Sequence, residues 1–327
     1  MINLGIVGTS WITAQFAEAA QKTGQFQVVG LLSRNSQKGE AFLRDNKIET
    51  AAVFSDLGSL LAQVDAIYLG SPNSLHYAQA KMAIENNVDI IVEKPVVSNP
   101  TEFEDLMATL KVHPNVRLVE AARHVFSPNF AEVKNAIANL DEIQGANLVY
   151  AKYSSRYDDY LNPQTPTPNV FSLEYSGGAL YDLGVYTIYA ALGWFGMPEK
   201  SQYVPNILEN GVDGSGWILL EYPDFKVNIF MGKTLTSNNY SEIYGGKNTI
   251  RIDSVSELNN IHLNDQLISH DEFENPLSYE AEVFAKIFQD KTDVSEYLRL
   301  QELSKQVNQV MFDLRQSANI TFPADNK

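Results

Sequence analysis

From residue 2 to residue 120 the chain alternates short apolar runs with helical patterns, and this rhythm constrains its fold more than any other feature. The apolar runs are Asn3–Gly8, Phe26–Ser33, Ala51–Phe54, Val64–Gly70, Val88–Val92 and Val116–Glu120. Between them lie helical patterns at Ile12–Lys22, Ser36–Arg44, Ser74–Glu85 and Pro100–Lys111, with a short turn near Leu57–Leu61. Strands that alternate with helices of this length predict a parallel sheet with right-handed crossovers. The strand patterns are apolar continuously rather than alternately, as a sheet covered on both faces requires.

After Arg123 the rhythm changes. A helical pattern at Asn129–Leu140 leads to a strand at Ala146–Tyr153, then to a polar stretch holding Pro163, Pro166 and Pro168. Proline removes donors and keeps the preceding residue out of the helical region, so Arg156–Asn169 reads as a loop. An apolar helix running to Phe195 follows. Beyond it, β-like runs at Gln202–Leu208, Ser215–Tyr222, Lys226–Met231, Tyr240–Tyr244, Thr249–Ile252 and Asn260–Leu263 are joined by turn residues such as Asp213-Gly214 and Gly245-Gly246. Helical patterns at Ser278–Gln289 and Val294–Gln316 close the chain. The expected architecture is an α/β domain with a parallel sheet over residues 1–122 and an α+β domain over 123–327. The second would carry a large, mostly antiparallel sheet with one open face.

With 327 residues and a formal charge of −16, the chain has no basic cluster to attract nucleic acid or an anionic membrane. It has no cysteine, which excludes disulfides and thiolate metal sites and suits a reducing compartment. A strand pattern from Ile2 leaves no room for a signal peptide, and no apolar run approaches the ~20 residues of a membrane span. A cytoplasmic protein is expected.

The first strand runs into Gly8-Thr9-Ser10-Trp11-Ile12-Thr13 and a helix. This is the place of a dinucleotide-binding turn, where glycines let a pyrophosphate approach a helix N-terminus. Gly8 fits, while Ser10 and Thr13 stand where the second and third glycines belong. The second strand ends in Ser33-Arg34, without the acid that would grip a ribose 2′-hydroxyl. A guanidinium beside a hydroxyl suits a 2′-phosphate, so NADP is expected ahead of NAD. Gly214-Ser215-Gly216 precedes no helix and reads as a hairpin turn.

Two further motifs carry chemistry. Asp182 and Tyr186 stand four apart in an apolar helix, on one face if the helix is regular, and a buried carboxyl and phenol each need a partner. Glu93-Lys94-Pro95 closes the fifth strand, where ligands bind in open parallel sheets. Glu93 and Lys94 point to opposite sides.

Taken in order, the strand–turn–helix opening, Glu93-Lys94-Pro95 and Gly177-Gly178-Ala179-Leu180-Tyr181-Asp182-Leu183-Gly184-Val185-Tyr186 resemble the glucose–fructose oxidoreductase/inositol dehydrogenase (Gfo/Idh/MocA) family. Ser71-Pro72-Asn73-Ser74-Leu75-His76 is similar to the family's Pro-Asn-x-x-His segment beside the nicotinamide ribose. Tyr186 in place of the histidine of many members, and Val119 to His124 with Pro128, resemble the dihydrodiol and xylose dehydrogenase branch. Ser10 and Ser176 replace family glycines.

The resemblance implies a Rossmann domain and an NAD(P)-dependent oxidoreductase of sugars, polyols or diols. Lys94 and Tyr186 would be catalytic and Asp182 a positioning group. Gly8 to Ile12, Ser33, Arg34, Ser71, Pro72, Asn73, His76, Glu93 and Lys94 would hold the cofactor, and Arg123 and His124 would meet the substrate. Assembly as a homodimer or homotetramer through the open sheet is implied as well. No histidine has a ligand-like spacing to another histidine or an acid, so no metal is expected. The competing reading is a non-catalytic NAD(P)-sensing regulator on the same fold.

Overall fold

Short caps and apolar strands assemble the first six strands in the expected alternation; the computed structural model describes residues 1–271 and 273–326. In order these are β1 (Ile2–Val7), α1 (Trp11–Lys22), β2 (Phe26–Leu32), α2 (Ser36–Asp45), β3 (Ala52–Phe54), α3 (Leu57–Leu61), β4 (Ala66–Leu69), α4 (Asn73–Glu85), β5 (Asp89–Glu93), α5 (Pro100–Val112) and β6 (Leu118–Ala121). All pair in parallel in the order β3-β2-β1-β4-β5-β6. The order reverses at β1, which makes the ends of β1 and β4 a topological switch point. Ser10, Asn35, Asp56 and Asn99 each cap the helix that follows through a side-chain oxygen, and Pro100 takes the first turn of α5.

The second part begins with α6 (Pro128–Ala138), β7 (Gly145–Ala151) and α7 (Tyr157–Leu161). A π-helical segment, Leu180–Gly184, then leads without a break into α8 (Val185–Phe195). β8 (Lys200–Ile207), β9 (Asp213–Glu221), β10 (Lys226–Gly232), β11 (Ser241–Gly245), β12 (Asn248–Ile252), β13 (Ile261–Leu263) and β14 (Gln266–Leu267) complete it. These strands form a second sheet in the order β14-β13-β12-β11-β7-β10-β9-β8, antiparallel except for β7 with β10. One face packs on the helices. The other carries half-exposed side chains, among them Val204, Trp217 and Tyr244.

Three expectations need correction. The segment after residue 272 does not stay with the second sheet. The chain divides into residues 1–121 with 273–304, and residues 122–272 with 305–327. The reason is α9 (Ser278–Gln289), whose buried face of Ala281, Phe284, Ala285 and Phe288 lies against α1 and β2, with Phe288 edge-on to Phe26 at 6.5 Å. The last helix, α10 (Ser295–Ser317), gives its residues up to Ser304 to the first unit and the rest to the second.

Gly214-Ser215-Gly216 is not a turn either but the start of β9. Its glycines answer to packing, since a Cβ on Gly216 would lie 2.5 Å from the Tyr203 ring. The turn is made by Asn210-Gly211, with Gly211 at φ +86°. Finally, the Arg156–Asn169 loop contains the short helix α7, on which Arg156 pairs with Asp159 at 3.1 Å.

If α9 anchors to the first unit as described, Phe288→Ala leaves a cavity and lowers unfolding free energy by about 3–5 kcal/mol. Denaturant unfolding measures this, and a loss below about 1 kcal/mol would contradict the packing.

Candidate active site

In the first unit the turn after β1 has the shape a dinucleotide needs. Gly8 sits at φ +95°, and a Cβ there would lie 2.8 Å from the Gly70 carbonyl oxygen, so no other residue fits. Ser10 caps α1, its Oγ accepting from Thr13 N and lying 3.0 Å from Thr13 Oγ1. Thr13 is fully buried, and room for it comes from another strand: a Cβ on Gly70 would stand 2.5 Å from Thr13 Oγ1. The close approach of helix to sheet that a third glycine would grant is thus supplied by Gly70. Thr9 and Trp11 are exposed at the mouth of the turn and Ile12 is half-buried. At the end of β2, the Ser33 hydroxyl donates to the Asn35 carbonyl and Arg34 is exposed. A cradle only glycine can form, an N-capped helix and an exposed guanidinium that has no carboxylate partner among the described residues fit a dinucleotide bearing a 2′-phosphate.

The ends of β4 and β5 are stapled together by His76. The ring is fully buried, with Nδ1 2.9 Å from the Pro95 carbonyl oxygen and Nε2 2.8 Å from that of Ser71. Ser71 Oγ donates to Gln79, while Pro72 and Asn73 open α4. The Lys94–Pro95 peptide is cis, and Lys94 is half-buried. Glu93 points the other way, its carboxylate accepting from Tyr68 Oη at 2.6 Å beneath the stacked Phe16 ring. It is thereby tied into the core. Glu120, absent from the expected site, accepts from Val96 N at 3.0 Å and from Ser304 Oγ, and so fixes the chain just past Pro95.

Burial pushes the His76 pKa below its usual 6.5; the two carbonyls pull upward and the Lys94 charge adds to the lowering. A neutral ring has one N–H and donates to only one of the two carbonyls. Because the folded value lies below the unfolded one, the stabilising contribution of His76 is complete above pH 6.5 and drains away as pH falls toward the folded value. Compared with His76→Gln, the wild type should lose its stability margin as pH falls below 6.5, as read from paired denaturant titrations. A margin independent of pH would contradict this.

In the second unit, Gly178 at φ +125° turns the chain into the π segment. The segment departs from the regular helix expected from sequence, and Asp182 and Tyr186 acquire separate partners. The Asp182 carboxylate accepts from Lys233 Nζ at 2.8 Å, and Lys233 also donates to the Val170 carbonyl at 2.6 Å. The centroid of the buried Tyr186 ring lies 6.0 Å from the Arg123 guanidinium, 5.4 Å from the centroid of the edge-on Tyr150 ring and 5.1 Å from that of the His124 imidazole. His124 Nε2 lies 3.1 Å from the Tyr186 carbonyl oxygen, bracing the helix that carries the phenol. Arg123 pairs with Glu257, and its Nε is buried with no hydrogen-bond partner among the described residues. Burial alone would lower the Arg123 pKa, but Tyr186, Glu257 and Tyr150 more than reverse this, and it rises. Burial raises that of Tyr150, reinforced by Tyr186 and opposed by Ser256 and Arg123. The residue 156–170 loop borders an open hollow of ≈ 490 Å³ lined by Arg156, Asp159, Thr165, Asn169 and Val170 among others.

Lys94 therefore belongs to the first unit, and Asp182, Tyr186, Arg123 and His124 to the second. Lys233 and Glu257 escape sequence reasoning; the one available signal was a lysine directly after an apolar strand. Among the described residues no group of three or more His, Asp or Glu is placed to hold a metal, and no helix is long and apolar enough to cross a membrane.

The family model for the oxidoreductase family with an NAD-binding Rossmann fold matches residues 2–121, and that for the GFO/IDH/MocA C-terminal domain matches residues 150–251. The chain belongs to this family and is an NAD(P)-dependent oxidoreductase. Among named relatives, it is 34% identical over 332 residues to the scyllo-inositol 2-dehydrogenase (NADP(+)) IolU of Bacillus subtilis, covering 99% of each chain. It is 26% identical over 231 residues to the trans-1,2-dihydrobenzene-1,2-diol dehydrogenase of Xenopus tropicalis, covering 70% of this chain and 67% of the relative. In fold it resembles the crystal structure of KijD10, a 3-ketoreductase from Actinomadura kijaniata in complex with NADP and TDP-benzene, with a TM-score of 0.82, 97% of each chain covered and 19% identity.

Proposed function

We propose that this protein interconverts a CH–OH group of a sugar, polyol or diol and its carbonyl with a preference for NADP. Tyr186 is the acid/base, Lys94 its supporting cation and Asp182 the group that positions substrate. The observation that carries the reading is the setting of Tyr186, a buried phenol 6.0 Å from a guanidinium in the same helix as a part-exposed carboxylate. Oxidising a carbinol requires its oxygen to lose a proton as its carbon loses hydride. A phenol, with an ordinary pKa near 10, serves as the proton carrier when a cation favours its phenolate. Asp182, held from behind, offers a carboxylate to a neighbouring substrate hydroxyl. Within its own unit, Arg123 puts a positive charge 6.0 Å from the Tyr186 ring.

NADP, when bound, takes up or returns the hydride. The turn from Gly8 to Ile12 would hold its diphosphate, Ser33 and Arg34 its 2′-phosphate, and Ser71 to Asn73, His76 and Lys94 its nicotinamide ribose. His76 and Glu93 serve this through the backbone they fix. The name of the Bacillus relative and the NADP in the Actinomadura structure support the preference.

The test is a panel of scyllo-inositol, other polyols, aldoses and diols with NADP and NAD, followed by absorbance at the reduced-nicotinamide band. Lys94→Ala and Tyr186→Phe should each lower kcat by about 10²–10⁴-fold while NADP still binds. Arg34→Ala should weaken NADP on the order of tenfold and leave NAD unaffected. Unchanged kcat in both catalytic variants would refute the assignment. Tight NADP binding with no turnover on the whole panel would favour the sensing regulator.

We assign the open face of the second sheet to a second copy of the chain, in the cytoplasm. Val204 and Trp217 are cross-strand partners there, Trp217 packs on Phe230 at 4.4 Å, and Val204 and Trp217 are about half-exposed. Trp217→Asp should convert the dimer or tetramer to monomer in sedimentation velocity, and an unchanged assembly would exclude this face.

A further inference from the structure

Lys233 follows β10 and has a fully buried side chain, whereas the Asp182 carboxylate it holds is 29% exposed. The ammonium thus lies behind the carboxylate. Its third neighbour is the Phe171 ring, whose centroid is 4.3 Å from Nζ. A buried ammonium without a counterion is strongly disfavoured, and among the described residues Asp182 is the carboxylate in ion-pair contact with this one. Asp213, also buried, feels its charge without touching it. The conformation of Asp182 that reaches Nζ is therefore the one that burial of Lys233 enforces. Nζ also donates to the Val170 carbonyl, where the loop lining the ≈ 490 Å³ hollow returns to the core. One ammonium fastens both the carboxylate and the loop.

We propose that Lys233 is a positioning residue for the reaction: it holds Asp182 in one orientation and locks that carboxylate to the residue 156–170 loop. The inference rests on the reading that Asp182 positions substrate, and it assigns Lys233 no contact with substrate.

Lys233→Met keeps the packing on Phe171 and removes the charge. The experiment compares it with Asp182→Asn and the double variant, measuring kcat and KM on the panel member that the wild type turns over fastest, NADP binding by fluorescence, and thermal midpoints. Lys233→Met should lower kcat on the order of ten- to a hundredfold with NADP binding unchanged, as loss of alignment does. In the Asp182→Asn background the same change should lower kcat no further, because Lys233 acts through Asp182. It should also raise the thermal midpoint above that of Asp182→Asn, because the stranded ammonium is gone.

Wild-type kcat in Lys233→Met with an inactive Asp182→Asn would overturn the inference and leave the functional reading standing. An equal loss from Lys233→Met in both backgrounds would overturn it too. Full turnover by Asp182→Asn would overturn the reading itself. Should Lys233→Met alone not fold, the double variant decides: a higher midpoint than Asp182→Asn with equal kcat supports the inference, and a lower midpoint refutes it.

Discussion

The geometry of the catalytic helix hangs on one buried carboxylate, Asp213 at the start of β9. A single oxygen, Oδ2, accepts from Leu180 N at 2.7 Å and from Tyr203 Oη at 2.6 Å. The other, Oδ1, occupies the space a side chain on Gly178 would need, since a Cβ there would stand 2.0 Å away. Burial raises the Asp213 pKa; Tyr203 and Leu180 N oppose that by hydrogen bonding to the charged form. The helix therefore starts where Asp213 takes the Leu180 amide, with a positive-φ glycine, Gly178, two residues before it. The π segment winds from that fixed point, and π turns of this kind recur at functional sites. Moving Asp213 would shift Asp182 and Tyr186 together.

How much of this was legible depended on whether the signal was local. Continuous apolar strands and the helical patterns between them announced the first sheet, because each is a nearest-neighbour effect. Residues 273–304 were harder. An amphipathic pattern says that a helix buries one face but not against what, and the partner of Phe288 is Phe26, at the opposite end of the sequence. Gly214 and Gly216 misled for a related reason. Glycine signals a turn when its φ is needed and a packing contact when its small size is needed, and only the position of Tyr203 tells the two apart.

In the site, the carboxylate and phenol were visible as polar residues in an apolar run, whereas their partners were not. Lys233 bonds Asp182 across 51 residues, and Arg123 meets Glu257 across 134. A lone lysine after a strand is ordinarily a solvated surface group, so nothing nearby in sequence marks this one as buried. The third-glycine role played by Gly70 is a similar case. It was transferred to a different strand, and the motif at Gly8 looked weaker than the cradle it forms.

In a chain of net charge −16, the buried cations of the second unit gather along a single helix. Arg315 lies over Tyr181, Lys233 holds Asp182 and Arg123 faces Tyr186. Each has its own carboxylate, from Asp325, Asp182 and Glu257 respectively. Such pairs are a poor source of stability, since desolvation consumes much of the Coulombic gain. What they provide is direction, because a buried pair tolerates few geometries. Tyr181, Asp182 and Tyr186 are thus each placed against a cation whose own position an ion pair holds.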